Sequence, residues 1–316
     1  MIITRRALMG STLALAASGC IPPDQSPIGR LAAQLRLIEA AELGSAGGIL
    51  GVQIYEPDTG VALGINQDRR FGHASSFKFT LAAMLLAKHT AGTINADKRV
   101  TWSESDMAEH APFTRANMGT GATLRELAEA TQKTSDNPAA NILMREMGGP
   151  AAVTGFWRSL GDEMSRVDRY EPEMNLVPEG EFRDTTTPAA MARTVARIIY
   201  GNVLPEAERA QLRQWMIDTE TGLRRVRAGL PADWVAGDKT GTSGLVGQFG
   251  TYIDIGFVEP TKARPALTFA AYYRARQGED VMQERAERVL MRVGRVIREF
   301  VERDRTIPVP NMFRQV

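Results

Sequence analysis

The chain predicts a mixed α/β fold of the α+β sandwich kind. One antiparallel five-stranded sheet is assembled from both chain ends, with flanking helices and an inserted all-α domain. Three observations carry this: strand patterns are confined to residues 49–65 and 234–273, helical patterns fill the stretch between them, and amphipathic helical patterns stand at both outer ends. A length of 316 residues, with 43% hydrophobic and 24% charged, suffices for one large core or two medium ones and sets disorder and fibre aside.

The N-terminus comes first. Arg5 and Arg6 precede an apolar run from Ala7 to Ala17, followed by Ser18-Gly19-Cys20, so residues 1–19 read as an export signal, too short for a membrane span. Arginines flanked by Thr4 and by Leu8-Met9 suit the twin-arginine route, and equally supply the basic region that the general route needs. Cys20, the only cysteine, stands where a bacterial lipoprotein carries its lipid, although Ala17 occupies the place such signals give to Leu. The alternative is an incidental cysteine lost with, or left beside, a cut near Ala16. Either way the mature chain cannot form an intramolecular disulfide, so the fold must rest on its core. Removing residues 1–19 takes away two Arg and leaves 36 basic against 37 acidic residues, a balance that points to no nucleic-acid partner and no basic membrane patch.

Along the mature chain, Leu31, Leu35, Ile38 and Leu43 recur at helical spacing, and Gly44 to Gly48 end that helix. Ile49–Tyr55 and Val61–Ile65 flank Pro57-Asp58-Thr59-Gly60, the chemistry of a β-hairpin turn. Helical segments then follow at Phe77–His89, Thr123–Thr131, Pro138–Met147, Ala151–Leu160, Pro188–Tyr200 and Pro205–Asp218, separated by short breakers. Strands return at Trp234–Lys239, Gly250–Val258 and Ala266–Tyr273, and a long amphipathic helix near Val281–Glu302 closes the fold. The division expected is an α/β domain of residues 28–68 and 219–304, an all-α domain of 69–218, and a surface tail of 305–316 with Pro308 and Pro310. A cleft between the two domains is the expected ligand site.

Three motifs could line that cleft. Ser75-Ser76-Phe77-Lys78 is the only Ser-x-x-Lys in the chain; if Ser75 opens a helix, Lys78 lies one turn on, and a desolvated lysine can take a serine's proton. Ser135-Asp136-Asn137 precedes the helix opened by Pro138, and Lys239-Thr240-Gly241 ends a strand. Each alone fits a blander role: an N-cap with a surface lysine, a capping turn, a polar strand end. Together, once each and in this order behind an export signal, they make the set shared by class A β-lactamases and penicillin-binding proteins.

From about Gly47 to Val293 the chain resembles the class A serine β-lactamases. Arg169-Tyr170-Glu171-Pro172-Glu173-Met174-Asn175 resembles their Ω-loop, which reads R-x-E-x-x-L-N, with Met174 a volume-conserving departure from Leu. The resemblance implies that Ser75 forms an acyl-enzyme, with Lys78 or, through water, Glu171 as the acylation base. It further implies that Ser135 protonates the leaving nitrogen with Lys239 nearby, and that Glu171 and Asn175 hold the deacylating water. The N–H groups of Ser75 and Thr242 would form the oxyanion site, and Asn137 would bind the substrate's acylamide. Thr240, Gly241, Thr242 and Lys239 would border the substrate carboxylate. Thr221-Gly222-Leu223-Arg224-Arg225-Val226-Arg227 matches the segment that supplies an arginine to it in some members, which assigns Arg225.

The partners implied are small-molecule β-lactams, penicillins and cephalosporins above all. The enzyme would be an exported, periplasmic monomer without cofactor, with a lipid anchor if Cys20 is modified, and it would confer β-lactam resistance. His73, His89 and His110 lack metal-ligand spacing, so a zinc hydrolase is not expected. A penicillin-binding D,D-peptidase shares the three motifs but lacks the Ω-loop carboxylate, and a β-lactam sensor domain would be joined to a membrane part. The chain departs from the family in three places. Ala74 and Ser243 replace the disulfide of one carbapenem-hydrolysing subgroup, about four extra residues fall at Val246-Gly247-Gln248-Phe249, and His110 stands where an aromatic ring usually lines the cleft mouth.

Overall fold

The computed structural model describes residues 24–244, 249–261, 264–276 and 284–314; the export signal, Cys20 and most of the extra segment, 246–248, lie outside the described residues. In chain order the elements are α1 (Pro27–Ala46), β1 (Ile49–Tyr55), β2 (Ala62–Ile65), β3 (Phe71–Gly72), α2 (Phe77–Thr90), β4 (Arg99–Val100), α3 (Pro112–Ala116), β5 (Ala122–Thr123) and α4 (Leu124–Lys133). They continue with α5 (Asn137–Met147), α6 (Gly149–Ser159), β6 (Thr185–Thr186), α7 (Pro188–Tyr200), α8 (Glu206–Ile217), β7 (Val235–Ser243), β8 (Phe249–Glu259), β9 (Leu267–Arg276) and α9 (Glu284–Glu302).

Helix starts follow from local chemistry. Ser26 accepts from the Gly29 N–H with Pro27 behind it, Thr123 forms a capping box with Glu126, and Asp136 and Thr187 cap helices whose first turns carry Pro138 and Pro188. Strands β2-β1-β9-β8-β7 form one antiparallel sheet, so the two chain ends meet at β1 and β9, and β7 is left on an edge. Alternation along these strands feeds two cores. Ile253, Ile255, Phe257 and Tyr272 join α2, α4, α5 and α7 in one; Tyr252, Val258, Phe269 and Tyr273 join α1 and α9 in the other.

Two features differ from the sequence expectation. β7 runs on through Lys239-Thr240-Gly241 to Ser243, because its partner β8 pairs with it along the whole length, Val235 opposite Glu259 and Ser243 opposite Thr251. Two-residue ladders join β3 to β6 and β4 to β5, pieces too short to carry a period-2 signal. The tail of 305–316, none of whose described residues is buried, is fastened to the surface: Arg305 pairs with the buried carboxylate of Glu56 at 2.6 Å, and Arg314 bridges Val61.

Candidate active site

The nucleophile candidate sits in a tight turn. β3 leads into a single turn, Ala74–Ser76, and α2 begins only at Phe77, so Ser75 stands just before the helix and does not open it. Ala74 has φ 40°, a left-handed conformation costly for a residue with a Cβ. The turn is held by the His73 N–H, which donates to the Asp184 carbonyl at 2.9 Å, and by the Ser76 hydroxyl, which donates to the His73 carbonyl at 2.8 Å. Ser75 is half-buried and Lys78 is fully buried.

Lys78 gathers the helical side of the site. Its Nζ donates to the Ser135 carbonyl at 2.8 Å and to Asn137 Oδ1, and pairs with Glu171 Oε1 at 3.2 Å. Lys239, on the edge strand, donates to Ser135 Oγ at 3.1 Å, while Lys78 Nζ lies 3.5 Å from the same oxygen. The Ser135 hydroxyl thus bridges two buried amines. Burial lowers the pKa of both lysines; Glu171 opposes this at Lys78, whereas the charge of Lys78 reinforces it at Lys239, which falls well below its ordinary value.

The loop that carries Ser135 is itself strained, with φ 63°. Asp136 fixes it: one carboxylate oxygen accepts the N–H groups of Phe113 and Thr114 at 2.9 Å, and the other accepts that of Ala139 at 2.9 Å. Asn137 donates from its side chain to the Glu109 carbonyl at 2.9 Å and from its backbone to the His110 carbonyl at 3.0 Å. His110 is exposed, and its Nε2 lies 2.7 Å from the Thr134 carbonyl, so its ring leans on the serine loop.

The Ω-loop closes at a polar neck. Asp184 accepts the N–H groups of Asp168 at 2.7 Å and Arg169 at 3.0 Å, and pairs with the Arg169 guanidinium at 2.5 Å. Within the loop, Asn175 Nδ2 donates to Glu171 Oε2 at 2.5 Å, and Met174 is completely buried in the core. Glu171 is only 3% exposed, and Asn175 Oδ1 is buried with no hydrogen-bond partner among the described residues. Asn141 on α5 holds the loop backbone from both sides, accepting from Glu171 N–H at 2.9 Å and donating to its carbonyl at 2.8 Å.

β7 forms the opposite wall. A Cβ on Gly241 would lie 3.1 Å from Ser75 N and 3.0 Å from the His73 carbonyl oxygen, so the strand can approach the nucleophile turn this closely only without a side chain. Thr240 Oγ1 meets Thr221 Oγ1 at 2.6 Å. Arg225 is 1% exposed behind the strand; its Nη2 donates to Thr242 Oγ1 at 2.6 Å, and Nη1 to the carbonyls of Gly241 (2.8 Å) and Ile253 (2.6 Å). The cleft is therefore reached from Arg225 through the half-buried Thr242. Gln132 ties α4 to the strand, donating to the Asp238 carbonyl at 2.8 Å and to Thr219 Oγ1 at 3.0 Å.

Ten of the eleven residues singled out in the sequence lie on these meeting segments; Arg225 lies buried behind β7 and touches the site through Gly241 and Thr242. Sequence reasoning missed Asn141, Gln132 and Asp184. Asn141 had a signal, since it lies one helical turn after Asn137 and so on the same face of α5. The arrangement offers a serine hydroxyl, two buried amines able to lose a proton, a buried carboxylate and a polar strand edge, which is the equipment of acyl transfer through a covalent ester. Among the described residues no group of three His, Cys, Asp or Glu side chains could hold a metal ion.

Known proteins share this arrangement's sequence and fold. The model of a family described as "Beta-lactamase enzyme family" matches residues 30–301. β-Lactamase L2 of Stenotrophomonas maltophilia is 40% identical over 304 residues, 94% of this chain and 98% of its own length. The carbapenem-hydrolysing β-lactamase KPC of Klebsiella oxytoca is 37% identical over 238 residues, 75% of this chain and 80% of its own. Among solved structures, an ancestral class A β-lactamase superposes with a TM-score of 0.78 at 42% identity, covering 84% of this chain and 98% of that one. A β-lactamase from Xanthomonas campestris gives 0.80 at 38% identity, covering 87% and 99%.

Proposed function

The chain belongs to the class A serine β-lactamases, and from that premise we propose how its residues open and hydrolyse the lactam, which lactams it takes and where it acts. It is a β-lactam hydrolase and a resistance determinant. Ser75 Oγ attacks the lactam carbonyl, with the developing oxyanion held by the N–H groups of Ser75 and Thr242. The serine proton leaves to Lys78 or, through water, to Glu171; the two groups are paired at 3.2 Å, so either route ends in the same buried pair. The C–N bond then breaks and the nitrogen takes the Ser135 hydroxyl proton, which the flanking lysines can replace.

Deacylation needs a second base. Glu171 takes a proton from a water that also donates to Asn175 Oδ1; the resulting hydroxide attacks the ester carbonyl, and the ester bond breaks as Ser75 Oγ regains a proton. The observation that carries this is the buried Glu171 carboxylate, gripped by Asn175 at 2.5 Å and set against Lys78. Substrates are penicillins and cephalosporins: Asn137 takes the acylamide, and Lys239, Thr240 and Thr242, with Arg225 behind, take the ring carboxylate. Export rests on the Arg5-Arg6 signal, and places a monomer in the periplasm, with Cys20 as the residue that would carry a lipid anchor.

Wild-type enzyme mixed with a chromogenic cephalosporin should turn over many equivalents. Glu171→Gln should stop after one, with a penicilloyl adduct on Ser75 visible by mass spectrometry when benzylpenicillin is used. Turnover of benzylpenicillin by that variant at the wild-type rate would remove Glu171 from deacylation.

A further inference from the structure

Beside the cleft lies a cavity of about 180 Å³ whose walls continue the three segments that carry the site. Phe71 and Gly72 of β3 immediately precede the nucleophile turn, and Val177 follows Asn175 by two residues on the Ω-loop. Thr251 of β8 pairs with Ser243, which is two residues past Gly241 on β7. Thr251 also pairs with Arg274 of β9, so Ser243, Thr251 and Arg274 form a row across the sheet. The next row, Gly241, Ile253 and Tyr272, packs towards the helical block and borders Ser75. Alternation puts both rows on one face, roughly 7 Å apart.

The lining carries Arg69, Arg70 and Arg274 against Glu179 and Glu181. Most of these charges are occupied. Arg70 donates to the Met164 carbonyl at 2.9 Å and to Thr185 Oγ1 at 3.0 Å, and Glu181 pairs with Arg183 at 2.6 Å. Arg274 is different. Its guanidinium sits 5.2 Å from the ring of Phe249, the described residue of the extra segment, and its ion pair is with Glu179, 4.0 Å away. That carboxylate is 75% exposed and shared with Arg69 at 3.4 Å, an arrangement that solvent screens heavily. Arg274 is thus held by a strand and a ring, with a carboxylate partner that another anion could displace.

We propose that this cavity receives the outer end of the substrate's acylamino side chain, and that Arg274 selects side chains ending in a carboxylate. The bound carboxylate takes the place of Glu179 beside the guanidinium. The inference rests on the reading of Ser75 as the acylated residue, since it is the nucleophile turn that fixes which end of the substrate faces the cavity.

The test uses the whole enzyme and one cephalosporin in two forms, with its side-chain carboxylate free or methyl-esterified. Arg274→Gln should lower the acid-to-ester ratio of kcat/KM roughly three- to fivefold while leaving the ester unchanged. Glu179→Gln, which removes the competing carboxylate, should raise the ratio, and added salt should shrink it in the wild type. An unchanged ratio in Arg274→Gln, or an equal loss for both forms, overturns the proposal and makes Arg274 a strand residue only. Failure of the wild type to hydrolyse either form would instead overturn the catalytic reading, and the proposal with it.

Discussion

Behind the β7 edge a buried guanidinium acts on the cleft through a hydroxyl. Arg225 donates to Thr242 Oγ1 at 2.6 Å, so that oxygen accepts from a charged donor, which polarises its O–H bond. Burial lowers the Arg225 pKa, with the charge of Asp254 opposing, yet a guanidinium remains charged throughout the working range. Thr242 therefore becomes a polarised donor suited to the substrate carboxylate. Arg225→Ala and Thr242→Val should each lower kcat/KM by roughly ten- to a hundredfold, mainly through KM, and the double variant should lose little more than either alone. Kinetics on substrates with the ring carboxylate free and esterified would check this; additive losses would mean that each residue contacts the carboxylate separately. The sequence identified Arg225 through its T-G-x-x-R-x-R segment, but burial behind a strand edge is set by tertiary packing and left no trace in the local pattern.

The Ω-loop shows the same division at the level of elements. Its carboxylate and amide were legible in Arg169-Tyr170-Glu171-Pro172-Glu173-Met174-Asn175, and the neighbouring helices in their 3.6-residue period and caps. What anchors the loop was not legible, because Asn141 and Asp184 act across 30 and 16 residues of chain through hydrogen bonds to backbone. The same limit hid β3 and β6, which pair only at Phe71–Thr186 and Gly72–Thr185, and the last turn of β7, whose glycine and polar residues read as a strand end until β8 is laid beside them. Asn141 offers the sharpest test of how the loop holds Glu171. Asn141→Ala leaves the Glu171 N–H and carbonyl unpaired, at a cost of about 2 kcal/mol or more. Deacylation should slow more than acylation, and amide exchange should rise over residues 168–184. Equal slowing of both steps, measured by single-turnover kinetics, would show that the loop is held elsewhere.

Across the whole molecule, the two cores lie on opposite faces of one sheet, and His73 sits where the helical side meets it. Its backbone N–H reaches the Ω-loop neck at Asp184, its carbonyl oxygen lies against Gly241 of β7, and its ring stacks on Trp157 of α6 at 4.8 Å and 6°. The ring is completely buried. Burial, opposed by the charge of Asp162, holds the imidazole at about 3, far below its ordinary 6.5. The folded protein therefore keeps His73 neutral while the unfolded chain takes up a proton below about pH 6.5. Its contribution to stability is complete above that pH and is lost as pH falls towards 3, by up to ~1.4 kcal/mol per unit. Between pH 7 and pH 5 the loss from this one group comes to about 2 kcal/mol. His73→Met fills the space without a titrating ring, so its stability should fall less over the same interval, by about that amount. Urea unfolding of both proteins at pH 7, 6 and 5 measures the difference directly. Parallel stability curves for the two would show that the junction is not what makes this fold sensitive to acid.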